Sequence, residues 1–389
     1  MLKRLKATLA DFFQQADLVL LALCCASTLY GIIMIFSATR YFNGNRNVIV
    51  QVVAMLLGIC VYVMTSMLDL EGVMKHWKWV ALFNVLFIGL LLTPFGVSDN
   101  TGNTAWLKFP FIPVSIGPAE IVKISFVLLL ARQLEWLKEE KQDLKSFPAA
   151  LTVAGHTLGL MAWYVLISGD MGNALVFFFI FLCMAFAAGF AIRWFVLLLG
   201  GGAAALLVAI QLDLIPSYMK KRFVVLFDHA ADPLGAGWQQ TRSLLTIGSG
   251  GVFGQGYMNG TQTQSLHSTS LPERHTDFIF SVIGEELGMI GCIVVIVLLL
   301  AIIIRVLLVA KRAQTPLHCY ICVGMAAMLI FQTVINIGMC LFVMPVIGIT
   351  LPFFSYGGSS IVTLFASMGV VSGIKKRSPV IRRPGRPLR

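Results

Sequence analysis

The chain has 389 residues, of which 58% are hydrophobic and only 12% are charged, whereas soluble domains usually carry charge on about a quarter of their residues. A soluble globule of this size could not keep so much apolar surface away from water, and the 28 phenylalanines exclude a disordered chain. The net charge of +11 does not indicate nucleic-acid binding, because the basic residues cluster beside apolar runs. The composition therefore predicts a polytopic membrane protein.

Apolar runs long enough to cross a bilayer, which takes about 20 residues, recur along the whole chain. They lie at 17–38, 48–68, 77–95, 117–134, 149–168, 172–190, 193–213, 278–310, 318–343 and 359–374. The first run is too long for a signal peptide, so we expect it to be retained. The predicted fold is all-α, a single membrane domain over 1–389 with about ten transmembrane helices and no internal repeat.

Basic residues are concentrated at the two ends of the chain. Lys3, Arg4 and Lys6 lie in the N-terminal tail, 1–16, and the C-terminal tail, 375–389, carries seven more. Clusters of this kind beside a span mark the cytoplasmic side of a membrane. We therefore expect both termini to be cytoplasmic.

Two outer segments differ from simple connections between spans. The loop 215–276, between the seventh and eighth runs, is rich in glycine and hydroxyl side chains, and a connection of this length is uncommon unless it has a function. The segment 344–360 is apolar but interrupted by prolines and glycines, including Pro352. That pattern is typical of a re-entrant segment that lines a cavity.

Charged side chains inside apolar runs are costly and are therefore candidates for function. Glu120 and Lys123 are three residues apart, share one helix face and can form an ion pair. The pair either locks the helix bundle together or lies beside the head group of a substrate, and both interpretations stay open. Asp170 precedes the sixth run in a short outer turn, where it can cap the next helix or serve the site.

Glu285 and Glu286 lie near the start of the eighth run. At 100° per residue, Glu285 is displaced by only 80° from Asp277, whereas Glu286 falls on the opposite face. We therefore expect Glu285 to lie near the same cavity as Asp277 and Glu286 to contact another helix.

The densest group of ionisable residues is 273–277, where the long loop meets the eighth run. A carboxylate there is placed to act on a lipid head group at the membrane boundary, and Glu273, His275 and Asp277 also offer ligands to a divalent ion, although their spacing is a weak signal. Asp277 as a simple helix cap is the competing interpretation. The amides of Gly357 and Gly358 at the start of the tenth run form either an anion site or a plain turn.

Several short segments of the sequence resemble motifs of the SEDS family (shape, elongation, division and sporulation), the RodA and FtsW type of peptidoglycan polymerase. The matching segments are 118–123 (Pro-Ala-Glu-Ile-Val-Lys), 247–251 (Ile-Gly-Ser-Gly-Gly), 271–280 (Leu-Pro-Glu-Arg-His-Thr-Asp-Phe-Ile-Phe), 284–288 (Gly-Glu-Glu-Leu-Gly), 336–339 (Asn-Ile-Gly-Met) and 345–360 (Pro-Val-Ile-Gly-Ile-Thr-Leu-Pro-Phe-Phe-Ser-Tyr-Gly-Gly-Ser-Ser). The resemblance extends from the first run to the tenth.

This resemblance implies an inner-membrane glycosyltransferase that polymerises lipid II into glycan strands together with a class B penicillin-binding protein. The family's catalytic carboxylate falls on Asp277, which would act as the general base. The family's supporting glutamate and lysine fall on Glu120 and Lys123. Together with the residues singled out above, the predicted substrate-binding set is Glu120, Lys123, Arg242, Glu273, His275, Gly357, Gly358 and Ser359, and the supporting set is Asp170, Glu285 and Pro352. The resemblance also implies a divalent cation, Mg²⁺ or Mn²⁺, for which the sequence itself gives only the weak signal at Glu273, His275 and Asp277.

Three positions depart from the family pattern. Ala105 stands where the family usually has arginine before tryptophan, Gly169 replaces the proline of Pro-Asp-x-Gly, and Arg242 replaces a glutamine before serine. The loss of a cation at Ala105 removes one expected phosphate contact, which Arg242 could replace. A lipid II flippase and a non-catalytic scaffold are the rival functions. A transporter usually has charged residues at the membrane midplane and two symmetric halves, whereas this sequence has no internal repeat.

Overall fold

The computed structural model describes residues 16–41, 44–98, 103–110, 115–141, 144–213, 220, 222, 224–226, 235–265 and 271–377. Over these residues the chain is mostly helical. The helices are α1 (Leu18–Thr39), α2 (Gly44–Ser66), α3 (Leu70–Lys75), α4 (Trp77–Gly89), α5 (Pro118–Trp136), α6 (Phe147–Ser168), α7 (Met171–Ala188), α8 (Ile192–Gln211), α9 (Ala236–Gly250), α10 (Ile279–Arg312), α11 (Pro316–Cys340) and α12 (Gly358–Arg377). The tail 1–15 and the segment 378–389 lie outside the described residues.

Each of the ten apolar runs coincides with a helix, and the prediction of an all-α polytopic fold is confirmed. Eight of the described helices are long and apolar enough to cross a membrane. The other two runs fall on the shorter apolar helix Trp77–Leu92 and on α5, which carries charged side chains. The count of ten spans stays a prediction.

A small antiparallel hairpin, which the sequence analysis missed, lies between α4 and α5. Strand β1 (Gly96–Ser98) pairs with β2 (Thr104–Leu107), with Val97 opposite Trp106. Leu107 then pairs with Ile116 just before α5 begins. The hairpin thus holds the start of α5, which carries the Glu120–Lys123 pair.

The long outer loop contains helix α9, which packs against α10. Gln240 donates to the carbonyl oxygens of Met339 (3.2 Å) and Met344 (2.7 Å). Ser243 lies 2.6 Å from the hydroxyl of Ser281. The described part of this loop is therefore a folded element attached to α10 and α11.

Helix α10 is interrupted at Gly288, whose backbone has φ 67° and ψ −164°. Main-chain groups of the long loop fill the interruption: Gln255 N donates to the Glu285 carbonyl (2.9 Å), and Met289 N donates to the Gly251 carbonyl (3.0 Å). A Cβ on Gly288 would lie 2.5 Å from the Val252 carbonyl oxygen. Only glycine fits both this backbone conformation and this approach.

The N-terminus of α1 is fastened to two later helices by Asp17, which is fully buried. Its carboxylate accepts hydrogen bonds from Arg305 Nε (2.8 Å) and from Leu20 N (3.3 Å), and it lies 3.2 Å from Lys375 Nζ. Asp17 therefore caps α1 and joins it to α10 and α12.

Candidate active site

Asp277 lies in a turn of irregular backbone directly before α10. The helix begins at Ile279 with Phe278 at the N-cap position, and the Phe278 side chain makes no capping hydrogen bond. The N-cap position that one interpretation gave to Asp277 therefore falls on Phe278. Asp277 itself is only partly buried, next to the N-terminus of α10.

The turn that carries Asp277 is hydrogen-bonded to the segment before α12. Tyr356 N donates to the His275 carbonyl (2.9 Å), and Ser355 Oγ donates to the Thr276 carbonyl (2.5 Å). The rings of His275 and Tyr356 are 5.5 Å apart. Two stretches of the family resemblance, 271–280 and 345–360, therefore form one surface.

The segment between α11 and α12 is irregular and contains buried residues, and its role as a re-entrant segment that lines a cavity stays a prediction. Pro352 and Phe353 are buried, and Phe353 has φ 67°. Helix α1 approaches so closely that a Cβ on Gly31 would lie 2.6 Å from the Phe354 carbonyl oxygen. Pro352 thus lies inside the bundle.

The glycines at the start of α12 already have partners in this structure. Gly357 N donates to Gln51 Oε1 (3.1 Å), while Gln51 Nε2 donates to the Ser355 carbonyl (3.0 Å). Gly358 is buried as the first residue of α12. An anion at this turn would have to displace Gln51 from the Gly357 amide.

Ser359 connects the same turn to α5, because its hydroxyl accepts a hydrogen bond from Gly117 N (3.3 Å). Glu120 follows Gly117 within the first turn of α5, where the helix dipole favours a negative charge. The start of α12 and the start of α5 are therefore in direct contact.

The predicted Glu120–Lys123 ion pair forms, with Lys123 Nζ 2.8 Å from Glu120 Oε1. The Lys123 side chain is 0% exposed and that of Glu120 is 13% exposed. Lys123 also donates to Asn173 Oδ1 (3.2 Å), a contact that sequence reasoning missed. Asn173 lies in the first turn of α7, and its polarity in an apolar run was the available signal.

Asp170 caps α7, as one of its two interpretations predicted. Its carboxylate accepts from Gly172 N (2.9 Å), from Asn173 Nδ2 (2.8 Å) and from the hydroxyl of Tyr164 (2.8 Å). Through Asn173, the cap is continuous with the Glu120–Lys123 pair. A polar network therefore crosses from α6 and α7 to α5.

The residues Ile347 and Gly348 join the two halves of the site. A Cβ on Gly348 would lie 3.8 Å from Asp277 Oδ2, and a Cβ on Gly172 would lie 2.5 Å from the Ile347 carbonyl oxygen. The same short stretch thus passes close to both the Asp277 carboxylate and the helix capped by Asp170.

The carboxylate of Glu285 is not exposed in a cavity beside Asp277. It is fully buried and accepts hydrogen bonds from Gln262 N and Thr263 N, both at 2.8 Å. The angular argument assumed that the helix face beside Asp277 lines a cavity, whereas a turn of the long loop covers it. The expectation for Glu286 is confirmed, since its carboxylate accepts from Ser37 of α1 (2.6 Å).

The charged residues of the loop differ in their surroundings. Arg242 lies over the ring of Trp238, with 5.9 Å from its guanidinium carbon to the ring centre. Glu273 is exposed and accepts from the Thr276 hydroxyl (3.1 Å). Burial lowers the pKa of His275 from its usual value, against the opposing effect of Glu273.

The donor set for a divalent cation is incomplete over the part of the chain that the structure describes. No three His, Cys, Asp or Glu side chains there are close enough to hold a metal ion together. Glu273, His275 and Asp277 therefore do not fit a metal site held by these residues alone, and no reaction step is derived through one.

The structure shows the backbone conformation at one departure from the family pattern, Gly169, and the surroundings of another, Ala105. Gly169 ends α6 in the left-handed conformation, with φ 71°, which proline cannot adopt because its ring fixes φ near −65°. Ala105 lies in β2, beside Trp106, whose ring lies against Gly117 at the start of α5. The family's usual cation would therefore lie on the hairpin that holds α5.

Comparisons with known proteins agree along nearly the whole chain. The family model described as cell cycle protein, of the FtsW, RodA and SpoVE type, matches residues 17–379. A probable peptidoglycan glycosyltransferase FtsW from Trichlorobacter lovleyi is 31% identical over 367 residues, covering 92% of each chain. The peptidoglycan glycosyltransferase MrdB of Escherichia coli is 31% identical over 366 residues, covering 92% of this chain and 93% of that protein.

Solved structures show the same likeness. A chain from a study of polymerization and crosslinking by a peptidoglycan synthase complex matches with a TM-score of 0.77 and 30% identity, covering 93% of this chain and 98% of that one. The rod shape determining protein RodA of Thermus thermophilus matches with a TM-score of 0.67 and 27% identity, covering 93% of this chain and 97% of that one.

Proposed function

Because the chain belongs to the FtsW, RodA and SpoVE family of cell cycle proteins, we propose that it is a peptidoglycan glycosyltransferase that polymerises lipid II into glycan strands. It is a multi-pass membrane protein, and its glycan strands serve elongation, division or sporulation. The observation that carries the proposal is the placement of Asp277, a partly exposed carboxylate whose turn is fastened to the segment before α12.

The proposed reaction is a single displacement with inversion. The 4-hydroxyl of the acceptor sugar attacks the anomeric carbon of an α-linked donor, a new glycosidic bond forms, and the bond to the lipid pyrophosphate breaks. Asp277 takes the proton of the attacking hydroxyl as general base. Its position at the outer end of α10 supports this role, because the reacting sugars lie at the membrane boundary.

Positive charge is needed where the pyrophosphate departs. We propose that Lys123 supplies it, oriented by Glu120 and Asn173, with Arg242 contributing from the loop. Lys123 belongs to α5 and Arg242 to α9. The remaining substrate contacts are proposed at Glu273, His275, Gly357, Gly358 and Ser359.

A divalent cation is proposed on the family resemblance alone. Mg²⁺ or Mn²⁺ would stabilise charge on the pyrophosphate. Chelation followed by readdition of each ion to the purified protein tests this requirement. Unchanged polymerisation after thorough chelation would remove the ion from the proposal.

The partner that we propose is a class B penicillin-binding protein. The support is the likeness to a chain of a peptidoglycan synthase complex, over 93% of this chain. Copurification of the two membrane proteins tests the pairing. Failure to copurify would leave the polymerase proposal standing and remove this partner.

We also propose that both termini are cytoplasmic, from the basic residues in the two tails. Reporters active only in the cytoplasm, fused to each terminus, test this orientation. A terminus on the outer side would mean that the predicted spans were counted wrongly.

Replacement of Asp277 tests the enzyme proposal most directly. Asp277→Asn preserves the size of the side chain but removes its ability to accept a proton, so we expect polymerisation of labelled lipid II to fall about 10²-fold or more. Glu273→Gln is the neighbouring control and should have a smaller effect. Wild-type rates from a folded Asp277→Asn protein would reject the general base and favour a flippase or scaffold instead.

A further inference from the structure

The turn that carries Asp277 presents three successive carbonyl groups to other parts of the chain. The carbonyls of His275 and Thr276 accept from Tyr356 and Ser355. The third carbonyl, that of Asp277, takes no part in the main-chain hydrogen bonds of α10. Ser281 N, which would be its helical donor, donates instead to the Phe278 carbonyl (3.0 Å). The backbone at Asp277 is therefore held by groups outside α10.

The nearer partner of the Asp277 carbonyl is the side chain of Asn336, one turn before the end of α11, and Cys340 Sγ donates to the same carbonyl from 3.7 Å. Asn336 Nδ2 donates to the Asp277 carbonyl (2.9 Å) and to the Ile349 carbonyl (2.7 Å). Both contacted atoms only accept hydrogen bonds, so the contacting atom must be the amide nitrogen, and both of its hydrogens are used. Asn336 is fully buried.

This double contact joins the turn that carries Asp277 to the irregular segment between α11 and α12. Ile349 directly follows Gly348, where an added Cβ would lie 3.8 Å from Asp277 Oδ2. Asp277 N is in turn bonded to the Glu273 carbonyl (3.1 Å), so both main-chain polar groups of Asp277 are fixed. The direction of its side chain then depends on the Asn336 amide.

We propose that Asn336 is a positioning residue for Asp277. It acts through the main chain of Asp277 and sets the distance between the carboxylate and the stretch around Gly348. The inference rests on the proposed function of Asp277. Small displacements of a catalytic group lower the rate steeply, whereas substrate binding depends on other contacts.

Leucine at position 336 removes both hydrogen bonds with little change of volume. We expect Asn336→Leu to lower kcat about 10²-fold while KM changes less than about threefold. Gln332→Leu is the matched control: Gln332 lies one turn earlier on α11, is 3% exposed, and its Oε1 has no hydrogen-bond partner among the described residues. We expect this control to retain kcat, and the melting temperatures of the two variants to be similar.

A double-mutant cycle separates positioning from a general loss of structure. Asp277→Glu retains a carboxylate but displaces it, so its kcat is already reduced. If Asn336 acts through Asp277, Asn336→Leu should lower kcat much less in the Asp277→Glu protein than in the wild type. Asn336→Thr keeps one donor, should give an intermediate kcat, and replaces the leucine variant if that protein does not accumulate.

Independent losses that multiply in the double variant would overturn the inference, as would parallel falls of kcat, substrate affinity and melting temperature in Asn336→Leu alone. Either result leaves the polymerase proposal intact as long as Asp277→Asn is inactive. A fully active Asp277→Asn protein would instead remove the function on which the inference rests.

Discussion

Thr263 donates two hydrogen bonds to the buried carboxylate of Glu285, one from its main-chain nitrogen at 2.8 Å and one from its hydroxyl at 2.5 Å. The donor lies in the long outer loop and the acceptor in α10. Arg274 stabilises the same turn, because its guanidinium donates to the carbonyls of Thr263 and Ser265. The loop is thus held to the bundle by charged side chains as well as by the main chain at Gly288.

Removal of the Glu285 charge should destabilise the protein. Glu285→Gln replaces an oxygen that accepts main-chain N–H groups with an amide that donates, and we expect a loss of about 2–4 kcal/mol in the free energy of unfolding. Thermal melting in detergent measures it. The control is Glu71→Gln on α3, where the side chain is exposed and the change should stay within about 0.5 kcal/mol.

The Glu120–Lys123 pair allows a comparison of stability with activity. Lys123→Ala leaves Glu120 without its partner, which can cost about 3–5 kcal/mol when the pair is buried, so melting and polymerisation must both be measured. We expect the loss of polymerisation to exceed what the loss of folded protein explains. Lys138→Ala, at an exposed position beside Tyr320, should leave both unchanged. A fall of activity in proportion to melting would make the pair structural.

The stability of the site should depend on pH through His275. Burial lowers the pKa of His275 in the folded protein, so below the ordinary value of about 6.5 the unfolded chain binds more protons than the folded one. Stability is therefore present in full above that value and declines as the pH falls towards the folded pKa. Melting temperatures of wild type and His275→Gln, compared between about pH 7.5 and 5.5, should converge as the pH falls. Parallel curves would contradict this expectation.

Gly288 should not tolerate a side chain. Its φ of 67° and ψ of −164° belong to a region that only glycine adopts readily, and the Val252 carbonyl occupies the space of a Cβ. We expect Gly288→Ala to cost at least about 2 kcal/mol in the free energy of unfolding. Gly200→Ala on α8, with nothing within 4 Å of its Cβ, should be neutral or slightly stabilising.

The sequence predicted features that depend on local order and missed those that depend on distant partners. Length and apolar character located the ten helices of the apolar runs but not α3 or α9, and helical angles placed Glu286 against another helix. The same angles predicted that Glu285 lies beside a cavity, but its carboxylate is covered by a turn that comes from residues more than twenty positions away. Asn336 stood out only by its polarity and by its place in the segment 336–339 of the family resemblance, and its two contacts could not be predicted because both acceptors belong to irregular segments.

The Asp17 cluster has a consequence for the order in which the chain is made. Asp17 caps α1, yet its partner Arg305 follows 288 residues later, and Lys375 comes later still. A ribosome adding about 5–20 residues per second leaves that carboxylate without these two cations until α10 and α12 have emerged. The N-terminal part of the bundle therefore lacks these ion pairs until its last helices insert, and a chain truncated before Arg305 never forms them.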